Sequence, residues 1–471
     1  GKYVVTPLSV IEYVMQNAAN LKSVGALEIY MGVRKPDDWH IPYINRLIKL
    51  CGKYGLPFLY TDGNRNDIDF PAVIKREDYK KTIREYSDYV VFSYKQNHAN
   101  ASYTCYGAIL GAWKEGAVKR VGLQAENWYW NDAGFCDDVG KYHGYLQGNE
   151  QQIPATFTAQ MLLAGVSYGA TYYSLEGEGW LIEDRDNGDY ELSPQGIAFL
   201  SMFRTVVHNR LIPSREKVME QIRAVVAAEG LSEDWGDAWT GGVFRKVFQN
   251  LYVIRHTKEV FPKQMRYFYL PFMTNREEAF SDLVRIDAAE IKEPDDVNRI
   301  LDPLYPKWFE GDAYVTHSDH VYIIMNSNEN TDLSQTFSVD IVPRDGHRAP
   351  VVKAEGSVGL WQYLIIFSQG GRTRVHANTP AGKSLRVFLS TENGETPFVH
   401  MRGNGVYCKW DVTEKRIELT LEGSDQPVDV ELTEEKTENT LPLPLRNPDD
   451  HAVYLTDMTV CGLTTGDKGL P

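Results

Sequence analysis

The feature that most constrains this chain is an alternation in its first two thirds. Short apolar runs are followed by amphipathic stretches of helical period, recurring every 30–50 residues or so, the pattern of a parallel sheet covered by helices. The apolar runs are GALEIYMG (Gly25–Gly32), LPFLYTDG (Leu56–Gly63), YVVFSYKQN (Tyr89–Asn97), KRVGLQAENWYW (Lys119–Trp130), GATYYSLEG (Gly169–Gly177), QIRAVVAAEG (Gln221–Gly230) and MRYFYLPFM (Met265–Met273). Between them lie helical segments such as IPYINRLIKLCGKYG and PATFTAQMLLAGVSYG, the second opening on Pro and closing on Gly. No GxGxxG follows a strand, so the spacing predicts an eight-stranded (β/α)₈ barrel and not a dinucleotide fold. Seven strands are visible, and the eighth is expected at the opening KYVV or upstream of residue 1.

From residue 306 the period shortens. DAYVTHSDHVYIIMNS, QTFSVDIVP, VGLWQYLIIFSQ, SLRVFLST, GVYCKWDV, RIELTLEG and VDVELTEE are separated by Gly, Asn, Asp and Pro, which predicts an antiparallel β-sandwich. The expected organisation is therefore a barrel over residues 1–305 and a β domain over 306–471. The acidic stretch DQPVDVELTEEKTEN is expected to be a solvated strand face. Trp308, Trp361 and Trp410 are expected to pack the core or domain interface of the β domain, with a lectin-like surface as the alternative.

Composition narrows the function. The chain of 471 residues carries 49 Lys+Arg against 64 Asp+Glu, a net charge of −15 that repels phosphate backbones, so nucleic acid is not expected as a partner. Aromatic residues reach 12%, including 28 Tyr and 10 Trp, enough to stack on the flat apolar faces of sugars as well as to fill a core. No apolar run spans a bilayer. The start, GKYVVTPLSV, reads as a mature chain, and we expect a secreted or cell-surface bacterial protein that acts as a monomer. The five scattered cysteines offer no CxxC or metal-ligand spacing and are expected as buried thiols or at most one bridge.

In a (β/α)₈ barrel the chemistry sits at the carboxyl ends of the strands. There the sequence places Glu28 and Tyr30, then Asp62, Lys95 and Asn97, then Glu126 and Asn127, then Glu176 and Glu178. Glu126 and Asn127 run directly into Trp128, Tyr129 and Trp130, and Glu176 and Glu178 lie between Tyr172, Tyr173 and Trp180. Carboxylates set among aromatic rings suit glycosidic cleavage: one acid protonates the leaving oxygen, another activates water, and the rings hold the sugars. Each such Glu taken alone also fits an ion-paired strand end. No GxSxG stands at a strand-to-helix turn, the one match, GVSYG, closing a helical segment, and HExxH, EF-hand and Walker patterns are absent. His98, His143 and His208 are expected to be surface or hydrogen-bonding residues and not metal ligands.

The segments QNHANASYTCYGAILGAWKEG, GLQAENWYWNDAGF, IPATFTAQMLLAGVSYGATYYSLEGEGW and LIPSREKV together resemble glycoside hydrolase family 98 over residues 20–300, more weakly through the β domain. The resemblance implies a catalytic (β/α)₈ barrel followed by a β-sandwich, and an inverting endo-acting hydrolase with no metal or other cofactor. It implies endo-β-1,4-galactosidase action on blood-group A, B or Lewis-type oligosaccharides of host or mucin glycans, or endo-β-1,4-xylanase action. Of these we expect the galactosidase. Carried over by position, the general acid is Glu28 and the carboxylates that hold the water are Glu126 and Glu176. Where family members place an Asp first in that base pair, this chain has Glu126 followed by Asn127. An inverting pair needs about 6.5–9.5 Å between acid and base. Tyr30, Asp62, Lys95, Asn97, Asn127, Trp128, Trp130, Glu178 and Trp180 are the expected substrate contacts. The reading from a different class is a non-catalytic carbohydrate-binding protein on a barrel scaffold.

Overall fold

The structure, a computed structural model, describes residues 6–27, 40–61, 77–96, 102–126, 154–176, 181–184, 189–227, 270–273, 276–287, 299–326, 334–344, 346–392, 397–403, 405–411, 414–423, 426–434 and 459–460. Five strands, β1 (Val24–Leu27), β2 (Phe58–Thr61), β3 (Val90–Gln96), β4 (Arg120–Glu126) and β5 (Tyr172–Glu176), pair in chain order as one parallel sheet. Four lie within the first five runs read from the sequence, and β1 begins one residue before its run. The helices that follow α1 (Leu8–Asn17) sit between the strands: α2 (His40–Tyr54), α3 (Glu77–Glu85), α4 (Ser102–Lys114) and α5 (Phe157–Ser167). Three of them stop at glycines in the left-handed region, Gly55 (φ 68°) after α2, Gly116 (φ 79°) after α4 and Gly169 (φ 76°) after α5, where a Cβ would be strained.

Parallel strands are normally apolar on both faces; here one face is apolar while the other mixes buried Leu59 and Val91 with polar residues. Phe58, Tyr60, Phe92, Tyr94, Val121, Leu123, Tyr173 and Leu175 alternate onto the face that packs under the helices, all buried. The opposite face carries Thr61, Ser93, Gln124 and Ser174, also fully buried. Gly122 is fixed by crowding on that face, since a Cβ there would meet Ser93 Oγ at 2.7 Å and the Tyr172 carbonyl oxygen at 2.8 Å.

Beyond β5 a short hairpin of β6 (Ile182–Asp184) and β7 (Tyr190–Leu192) leads to α6 (Pro194–His208), which starts on Ser193, whose Oγ accepts from the Gly196 N–H. After α7 (Arg215–Gln221), β8 (Ala224–Ala227) pairs parallel with β9 (Val284–Asp287), and Val226 bridges to Phe272. Thus the sixth run holds a strand beyond its first residue, which closes α7, and the described end of the seventh run carries one bridge, at Phe272. β9 is an additional parallel strand the sequence reading missed. The far edge of β5 is covered by β22 (Thr459–Val460), near the chain's end. Closure of these two parallel groups into one ring is not seen among the described residues. The proposed eighth strand, KYVV, lies outside them.

The β domain consists of two stacked six-stranded antiparallel sheets. One runs β10 (Glu310–Gly311), β13 (Gln335–Asp340), β14 (Lys353–Val358), β17 (Ser384–Ser390), β20 (Arg416–Glu422), β19 (Val406–Asp411). The other runs β11 (Tyr314–Ser318), β12 (Val321–Met325), β15 (Tyr363–Gln369), β16 (Arg372–Asn378), β21 (Val428–Thr433), β18 (Phe398–Arg402). Val339, Ala354, Val387 and Leu419 from the first meet Val315, Ile324, Leu364, Ile366 and Val430 from the second. The alternate residues of the second sheet, Tyr314, Ile323, Met325, Tyr363, Ile365 and Phe367, join the core of the parallel sheet and its helices. The second sheet is therefore buried on both faces.

This explains α5, all eleven of whose residues are buried. A helix apolar around its circumference must be covered on every side, and α5 lies between β4 on one side and β11 and β12 on the other. Its polar residues bond across the boundary: Thr156 Oγ1 donates to the Trp361 carbonyl (2.7 Å), Gln160 Nε2 to the Gln362 carbonyl (3.1 Å), and Ser167 Oγ lies 2.6 Å from Thr316 Oγ1. Trp361 is 5% exposed and edge-on to Phe157, as expected of an interface residue. Trp308 differs: it is exposed, with its ring against Phe309 and His317. The acidic stretch is less solvated than expected: on β21, Asp429 and Glu431 alternate with buried Val428, Val430 and Leu432 and pair with β16.

Among the described residues no helix is long and apolar enough to cross a membrane. Cys51 and Cys408 are free thiols.

Candidate active site

Because β1 to β5 are all parallel, their carboxyl ends share one edge. β4 ends on Glu126 and β5 on Glu176, and these two are direct register partners, following Gln124 paired with Ser174 and Gly122 paired with Tyr172. Neighbouring strands lie about 4.8 Å apart, so the chain holds two carboxylate-bearing positions side by side. By the two-residue period both fall on the polar face, with Gln124 and Ser174. Lys95, the partner of Gln124 on β3, stands one row lower than Glu126. The side chains of Lys95, Glu126 and Glu176 lie outside the described residues.

The remaining expected site residues also lie outside them: Glu28, Tyr30, Asp62, Asn97, Asn127, Trp128, Trp130, Glu178 and Trp180. Their chain positions are nonetheless fixed by the strands. Glu28 directly follows the last residue of β1, Asp62 that of β2, Asn97 that of β3 and Asn127 that of β4, while Trp130 and Trp180 come four residues after β4 and β5.

Two aromatic residues expected beside the carboxylates are elsewhere. Tyr173 alternates onto the helix-covered face and packs edge-on against Phe203 at 4.9 Å, its hydroxyl kept neutral by burial. The Tyr172 hydroxyl accepts from Arg120 Nη1 (2.9 Å) near the amino end of the sheet, away from Glu176. Alternation along β5 decides Tyr173, since only every second residue shares the face of Glu176; Tyr172 is on that face but stands two rows below Glu176.

A different polar cluster, invisible in the sequence, lies between α6 and the second sandwich sheet. Ser201, Arg204, Thr205, His208, Arg374, His376, Arg402, Asp429 and Glu431 line a cleft there. Glu431 accepts from Arg374 Nε (2.6 Å) and Arg372 Nη1 (3.2 Å), while His376 Nδ1 is 2.8 Å from Asp429 and 3.2 Å from Thr205 Oγ1. Burial works to raise the Asp429 carboxyl, but His376, Arg402 and Arg374 outweigh it and hold it below its ordinary range. His208, expected as a surface or hydrogen-bonding residue, borders this cleft. Burial, then the Arg204 charge, lowers its pKa. The cluster ties a helix to a strand at the domain boundary. Among the described residues no three His, Cys, Asp or Glu are grouped to hold a metal ion.

A parallel β/α sheet with acidic positions paired at its carboxyl edge, backed by a β-sandwich, is the frame of a carbohydrate-cleaving enzyme. Residues 19–213 match the model of the glycosyl hydrolase family 98 middle region, and residues 215–354 match that of the family 98 C-terminal domain. The chain belongs to glycoside hydrolase family 98 and is a glycoside hydrolase. No curated protein matches it. Among solved structures it is similar to the catalytic module of a family 98 glycoside hydrolase from Streptococcus pneumoniae TIGR4. In complex with the H-disaccharide blood group antigen that module gives a TM-score of 0.72 at 16% identity, over 92% of this chain and 82% of that one. Its native form gives 0.72 at 17%, and its complex with the LewisY pentasaccharide blood group antigen 0.71 at 16%, over the same shares.

Proposed function

We propose that this chain is an inverting, endo-acting β-1,4-galactosidase that releases blood-group oligosaccharides from larger glycans, and that β8 and β9 belong to an eight-stranded barrel with β1 to β5. The observation that carries the catalytic reading is the register pairing of Glu126 with Glu176 at the carboxyl edge, and Glu28 is the residue that follows β1 in the sequence. In this reading Glu28 protonates the departing glycosidic oxygen. Glu126 and Glu176 hold one water beneath the anomeric carbon and take its proton as it attacks, which inverts the configuration. Two carboxylates on one water titrate as a coupled pair. The substrate class is supported by the blood-group antigens bound to the similar S. pneumoniae module.

The test is incubation with blood-group A type 2 glycan and, separately, with arabinoxylan. Shortening of the first, with the opposite anomeric configuration in fresh product by NMR, is the expected result. Shortening of arabinoxylan alone moves the chain to the xylanase reading, and cleavage of neither leaves a carbohydrate-binding protein.

A further inference from the structure

The polar face of the parallel sheet has more built into it than the carboxylate pair. Thr61, Ser93, Gln124 and Ser174 come from four adjacent strands, and each is 0–1% exposed. Barrel interiors and parallel sheets are normally filled by Val, Ile and Leu. Burying a hydroxyl without a hydrogen bond costs about 1–3 kcal/mol. Yet Thr61 Oγ1, Ser93 Oγ and Ser174 Oγ have no hydrogen-bond partner among the described residues. Such a face is one that ordered water satisfies.

The rows give these residues an order. The lowest is Ser93, Gly122 and Tyr172; above it come Lys95, Gln124 and Ser174; above that stand Glu126 and Glu176. Successive rows are two residues apart, about 6.6 Å along the strand, a gap that one bridging water closes with two hydrogen bonds. The other charged groups on this face are Lys95 in the middle row and, at the foot, Arg120 bonded to Tyr172. Glu28 and Asp62, next in the sequence after β1 and β2, lie outside the described residues.

We propose that Gln124 and Ser174 are positioning residues for the base pair, donating hydrogen bonds from the row beneath, through buried water, to keep Glu126 and Glu176 oriented and ionised. This rests on the reading of those two as the base. Ser93, one row lower, is out of reach of the pair and serves as the internal control. A donor to a carboxylate favours its charged form. Removing it raises the pH at which the base ionises.

The experiment follows kcat/KM against pH for Ser174→Ala, Gln124→Leu, Ser174→Thr and Ser93→Ala, with whichever of the two glycans the wild-type enzyme cleaves. In parallel, the protein labelled with ¹³C at the glutamate carboxyl carbons is titrated by NMR, with the two signals assigned by their loss in Glu126→Gln and Glu176→Gln. Ser174→Ala and Gln124→Leu are expected to move the acidic limb up by about 0.5–1 pH unit, so that activity below the limb falls roughly 3- to 10-fold more than on the plateau. Ser174→Thr restores the limb, and Ser93→Ala leaves it in place. A uniform loss at every pH with unmoved carboxyl signals overturns the proposal, as does an equal shift in Ser93→Ala. If instead Glu126→Gln and Glu176→Gln retain turnover, the base reading fails. The NMR titration still reports whether the lower row governs their ionisation, and circular dichroism identifies any variant that has lost its fold.

Discussion

Thr156 at the start of α5 donates its hydroxyl hydrogen to the main-chain carbonyl of Trp361, 205 residues further along and in the other half of the molecule. With the buried faces of α5 and the second sandwich sheet, it makes the two halves share one core. Residues 1–305 expressed alone would expose that core to water, and we expect them to be insoluble or molten by circular dichroism and dye binding. In the whole chain, Trp361→Ala empties a site against Phe157 and is expected to cost about 3–5 kcal/mol, read as a lower midpoint of a single denaturant transition reported by both halves.

Glu176→Gln and Glu126→Gln keep size and shape while removing the proton acceptor. Each is expected to lower kcat by about 10²–10⁴-fold with the thermal midpoint within a few degrees of wild type. Turnover within a few-fold of wild type in either variant removes that residue from the mechanism.

Gly122→Ala places a methyl group against Ser93 Oγ and the Tyr172 carbonyl, where the sheet has no slack. Overpacking of this kind typically costs about 1–3 kcal/mol. The distortion falls between β4 and β5, two rows beneath the Glu126–Glu176 pair, and reaches it through the register of the two strands. We expect both a lower melting temperature and a loss of kcat, whereas Gly116→Ala, whose added Cβ meets nothing within 4 Å but strains a left-handed backbone (φ 79°), is expected to lower the melting temperature and leave kcat unchanged.

Burial raises the Cys51 thiol to about 12 and the Cys408 thiol to about 11. Both are then neutral at pH 8, and neither is expected to react with a disulfide reagent until the chain is unfolded. Burial likewise raises the Tyr305 hydroxyl to about 12, partly offset by the N–H groups of Arg223 and Ala224 that it accepts from, and burial raises Tyr322 to about 12. A pKa raised on folding means that the folded state holds the proton more tightly. The associated stability is intact below the unfolded values of 9.0 for Cys and 10.0 for Tyr and is lost as pH climbs toward 12. Denaturant midpoints are expected to be flat in these groups to about pH 9 and to decline above it.

The first five barrel-type strands and the change to a β-sandwich near residue 306 were legible because they rest on local period. Apolar runs of four to seven residues closed by polar ones announce strands whatever surrounds them. By the same logic the candidate carboxylates could be read as strand ends, since polar residues mark where an apolar run stops. The sandwich strands β14 and β16 escaped notice because KAEGSV and RTRVHAN carry too much charge to look like strands. Their place depends on partners far along the chain, Phe388 for Glu355 and Glu431 for Arg374. β9 was missed for a related reason: VRID is short and half exposed, and pairing with β8 is what makes it a strand.

The sequence by itself determined which segments are strands and helices in the first half, and that acidic residues stand at the ends of several strands, because both follow from interactions within a few residues. Only the tertiary structure decided that Glu126 and Glu176 are neighbours, that Tyr173 falls on the opposite face and Tyr172 two rows below them, and that Gln124 and Ser174 lie beneath. Those relations are set by the register between strands about 50 residues apart. A shift of one residue in that register would have exchanged every face.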